Sequence, residues 1–146
     1  MFSFLKPKSK VEDLEKNNKD ILITAILIEC AKSDYDFSEE EILKIKNILR
    51  EKLKIDDGQL DKVFTTALEN SNDSVEIYSL TKEIRECFEQ DEIVKLYESM
   101  WEIVLVDGLV DDFEASLMRQ FVGLFHLTPQ EAVDAKNNAI KKINNP

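Results

Sequence analysis

Residues Met100 to Glu114 read M-W-E-I-V-L-V-D-G-L-V-D-D-F-E, and this stretch decides the fold. An apolar segment runs into Asp107, turns at Gly108 and restarts at Asp111, with Glu114 a turn further on. The first half predicts a buried helix. The second half predicts a new helix start, because an Asp followed by Glu at that spacing supplies oxygens to the N–H groups that a first turn leaves unpaired. Asp107 falls at the C-terminal end of the first helix, where the helix dipole is already negative and an anion is disfavoured.

The same arrangement occurs earlier, between Ile28 and Glu41. Laying residues 28–49 on residues 101–122 puts Glu29 on Glu102, Asp34 on Asp107 and Glu41 on Glu114, with Ile45, Ile48 and Leu49 on Met118, Phe121 and Val122. The expectation is an internal repeat, two acid-bearing turns related by a pseudo-two-fold axis.

The rest of the chain reads as helix. Residues 21–32, I-L-I-T-A-I-L-I-E-C-A-K, are apolar almost all round, which marks a central helix, with Asp20 as its N-cap. Helices follow over 38–53, opened by the Ser38/Glu41 pair, after the Asp56-Asp57-Gly58 break, and over 75–88, 90–106 and 111–125. Thr128-Pro129-Gln130-Glu131 opens the last, with Thr as cap, Pro at the first position and Glu at the third. The fold class is all-α, a single-domain bundle of about seven helices. Residues 1–19 read as an N-terminal arm, 20–143 as the helical domain and 144–146 as a tail.

Composition agrees. Three Gly and three Pro in 146 residues leave few helix breakers. A net charge of −11 argues against nucleic acid and allows a basic protein partner or cations. Cys30 and Cys87 fit no zinc spacing and no disulfide framework, so both read as core residues of a cytoplasmic protein. No secretory signal is expected, and the longest apolar run is too short to span a bilayer. At the start, Phe2, Phe4 and Leu5 with Lys6, Lys8 and Lys10 could touch a membrane surface, but an arm that packs or frays is the preferred reading. His126 is the sole histidine, which excludes a His-cluster metal site and most catalytic triads. It lies near a helix end, where His often meets the last carbonyls. Trp101 reads as core, and no phosphate loop or nucleophile elbow occurs, so no enzyme is expected.

The acids at the two turns carry two readings. As a site, Asp34, Glu41, Asp107 and Glu114 offer oxygen ligands to Ca²⁺ or Mg²⁺. As scaffold, Ser38 with Glu41 and Asp111 with Glu114 are capping pairs that need no ligand, and this reading stands ahead. EF-hand spacing fails: the sixth and twelfth positions from Asp34 are Glu39 and Ile45, and from Asp107 they are Asp112 and Met118, where Gly and Glu are required.

Three segments carry a family resemblance: Leu96 to Glu114, with its Val106-Asp107-Gly108 step; A-K-S-D-Y-D-F-S-E-E-E, Ala31 to Glu41; and S-V-E-I-Y-S-L-T-K-E-I-R, Ser74 to Arg85. In order and spacing they resemble the tellurite-resistance TerB family over about residues 20–140. The resemblance implies an all-helical fold with internal pseudo-symmetry, in cytosolic bacterial proteins linked to tellurite and other stress resistance. Related domains end membrane-linked co-chaperones. It also implies, for some members, a divalent-cation site, which here maps onto Asp34, Glu41, Asp107 and Glu114. Tyr35 stands where the family has Gly, and Lys32-Ser33 where it has a small pair.

Overall fold

The computed structural model describes residues 19–31, 39–72, 77–106, 110 and 112–144. These form helices α1 (19–31), α2 (Glu39–Lys52), α3 (Asp57–Asn72), α4 (Ile77–Cys87), α5 (Gln90–Val104), α6 (Asp112–Leu124) and α7 (Pro129–Asn144), with no strand among the described residues. The all-α expectation holds. Helix ends differ from the predicted ones by a residue or two, as fraying termini do.

α1 is the central rod. Ile26, Leu27, Ile28 and Cys30 are wholly excluded from solvent, as expected of a helix that is apolar all round. α5 contributes Ile93, Leu96, Tyr97, Met100, Trp101, Ile103 and Val104 to the same core. α7 lies along α5 and presents small residues, Ala135 and Ala139, which let the two helices come close. α2 packs on α3 and α5, and α4 on α5 and α6. The Tyr97 hydroxyl donates to the Met118 carbonyl at 3.1 Å, tying α5 to α6.

The repeat extends further than the sequence comparison reached. α2 and α6 are each followed by a non-glycine residue of positive φ, Lys54 at 54° and His126 at 57°. A buried apolar residue comes next, Ile55 or Leu127, and then an N-cap. Asp56 Oδ1 accepts from the Gln59 N–H at 2.9 Å, and Thr128 Oγ1 accepts from the Glu131 N–H at 3.0 Å. Matched on these features, residues 54–72 correspond to 126–144, one residue out of step with the 28–49/101–122 match, and Leu60, Val63 and Ala67 of α3 answer to Ala132, Ala135 and Ala139 of α7. Each half is a set of three helices, α1–α3 and α5–α7, with α4 between them.

The Thr128/Glu131 capping box is formed as expected: the Glu131 carboxylate also accepts from the Thr128 N–H at 2.9 Å. α5 uses the same device unforeseen, with the Glu92 carboxylate accepting from the Glu89 N–H at 2.9 Å.

Three expectations are corrected. Lys19 and Asp20 already lie inside α1, so Asp20 is not its cap. The Asp20 carbonyl accepts from Thr24 Oγ1 at 2.7 Å, an ordinary helix-interior bond. Cys87, in the last turn of α4, is exposed, while the buried Ile84 and the partly buried Phe88 face the core. His126 caps α6 through its backbone: its N–H bonds the Gly123 carbonyl at 3.2 Å and the next N–H, of Leu127, reaches Val122 at 3.0 Å, while the imidazole is exposed. The cap residues Ser38 and Asp111, residues 1–18 and the last two residues lie outside the described residues.

Candidate functional site at the two helix starts

Of the four expected site residues, Glu41 and Glu114 are described; Asp34 and Asp107 lie outside the described residues. Glu41 sits in the first turn of α2 and Glu114 in the first turn of α6, the equivalent place in each half. Both are buried, at 9% and 4% exposure, although carboxylates at a helix start ordinarily face water. Both are engaged by neighbouring groups. The helix N-terminus favours an anion at this position, which offsets part of the cost of burial.

Glu114 acts across the two halves. Burial, and then the charges of Glu29 and Glu114, push the Cys30 thiol well above its ordinary range. For Glu114 to act on Cys30, the last turn of α1 must lie close to the first turn of α6. Cys30 is held as a neutral thiol and is no nucleophile. Among the described residues, no group of three or more His, Cys, Asp or Glu side chains is arranged to hold a metal ion.

The surface at the helix starts is mixed. Glu39 and Glu40 are exposed at the start of α2, a turn before the exposed Leu43, and Asp112 is exposed at the start of α6 between the exposed Val110 and Phe113. Exposed acids and exposed apolar side chains therefore stand together at both helix starts.

A second cluster went unpredicted. The Glu102 carboxylate, 6% exposed, accepts from Lys52 Nζ at 2.7 Å and lies 3.6 Å from Lys44 and 3.9 Å from Lys142. Lys52 also donates to Ser99 Oγ at 2.8 Å, and Lys142 to Glu98. The cluster joins α2, α5 and α7. Partial burial pulls the Lys52 ammonium below its ordinary range, against the bond to Glu102 that holds its proton. For Lys142 burial pulls the same way, but the bond to Glu98 and the charges of Glu98 and Glu102 reverse it and the group ends raised. The signal in sequence was Glu98, Ser99 and Glu102, three polar residues a turn apart on one face of a strongly apolar helix. Their partners sit far along the chain, and no spacing rule connects them.

Fold and site define an all-helical, acid-rich bundle with a buried carboxylate in the first turn of α2 and another in the first turn of α6. The chain belongs to the TerB family: the family described as tellurite resistance protein TerB matches residues 20–137. No curated protein matches the chain. No solved structure matches it. Among the described residues no helix is long and apolar enough to cross a membrane.

Proposed function

We propose that this TerB-family chain is a non-enzymatic interaction module that presents an acidic, partly apolar surface to a protein partner in a cytoplasmic stress response related to tellurite resistance. One observation carries the reading. Exposed acids stand beside exposed Leu43, Val110 and Phe113 at the equivalent ends of the two halves. Such a surface suits a basic, amphipathic segment, since the acids attract and orient it while the apolar side chains supply desolvated contact. The net charge of −11 favours the same class of partner over nucleic acid. A co-chaperone-like adaptor would use the same surface.

The test is site-specific photo-crosslinking in cells, with the crosslinker at Leu43, at Phe113 and, as a control, at the exposed Thr65 of α3. Discrete adducts at the first two positions and none at Thr65 are expected, and Asp112→Lys should abolish the adduct at Phe113. Equal or absent crosslinking at all three positions rejects the reading.

A second reading is favoured by the buried Glu41 and Glu114: a divalent cation, Ca²⁺ or Mg²⁺, held by Asp34, Glu41, Asp107 and Glu114. The donor set is all oxygen, which suits a hard cation, and two of the four carboxylates are already desolvated. The ion would offset their charge and join the two turns. Calorimetry with Ca²⁺, Mg²⁺, Mn²⁺ and Zn²⁺ on the wild type and on Asp107→Asn decides it. Heat that disappears in the variant supports the site, and no heat, or unchanged heat in the variant, removes it.

A further inference from the structure

We draw no further inference here: the strongest candidate, the side of α7 that carries the exposed Val133, Ile140 and Ile143 beside the Lys136–Trp101 cation–π contact, is an unpartnered apolar helix face, and nothing among the described residues shows what covers it.

Discussion

Replacing Glu102 by Gln should destabilise the protein by about 2 kcal/mol, and the figure follows from where the charge sits. The substitution conserves volume and an acceptor oxygen, so packing is little disturbed and the loss is mainly the charge. Exposed ion pairs contribute about 0–1 kcal/mol, and breaking a fully buried one costs about 3–5 kcal/mol. Glu102 is 6% exposed but its partner Lys52 is 32% exposed, so water screens one side of the pair and the cost falls between those limits. Of the three ammonium groups that surround it, Lys52 and Lys142 would then share the Glu98 carboxylate, and Lys44 would lose its contact with Glu102. Thermal unfolding should fall by about 4–8 °C, at about 2–4 °C per kcal/mol for a chain near this size.

A double-mutant cycle in urea isolates the pair. Glu102→Gln and Lys52→Met should show a coupling of about 1–2 kcal/mol, the double variant being less damaged than the singles imply. The comparator is Asp61→Asn, whose partner Lys46 lies 3.5 Å away but whose own side chain is 80% exposed, and its cost should stay under about 0.5 kcal/mol. Equal effects of Glu102→Gln and Asp61→Asn would refute the reasoning, as would a coupling indistinguishable from zero.

Other expectations follow from single features. The Thr128 backbone N–H, with help from the Thr128 and Gln90 side chains, holds the Glu131 carboxyl below its ordinary 4.5. A lowered folded pKa means stability that is present above that ordinary value and lost as pH falls through the folded one, so wild type should lose stability more steeply than Glu131→Gln between about pH 5 and pH 3; parallel profiles in acid denaturation would contradict this. His126 holds φ at 57°, a region that costs residues with a Cβ but not Gly, so His126→Gly should raise stability by up to about 1 kcal/mol in urea, and a loss would show that the imidazole matters. One thiol, Cys87, should react promptly with a chromogenic disulfide in native protein, while Cys30 should react only on unfolding; prompt reaction of both would deny the burial of α1.

Much of the fold was legible because helices are locally encoded. The residues of α1, apolar on every side, could only be central, and the Thr128-Pro129-Gln130-Glu131 start places its own hydrogen bonds within four residues. The repeat was legible over α1–α2 and α5–α6, where matched acids and aliphatics mark it. It was invisible over α3 and α7, since Leu60 and Val63 answer to alanines there and only the caps and the positive-φ residues preserve the likeness. Cys87 was misplaced because exposure near a helix end depends on what packs beside it, which no local pattern specifies, and Asp20 because a capping residue type does not by itself fix where a helix begins.

Taken alone, the amino-acid sequence determined the helical class, the order of the elements, the Thr128/Glu131 cap and an acidic character, all of which rest on hydrogen bonds, periodicities and composition that are local to the chain. Only the tertiary structure decided that Glu41 and Glu114 are buried, that the charge of Glu114 on α6 reaches Cys30 on α1, and that Glu102 gathers lysines from α2 and α7. Desolvation and charge pairing depend on distances between side chains that lie tens of residues apart in the chain, and those distances exist only once the core has closed.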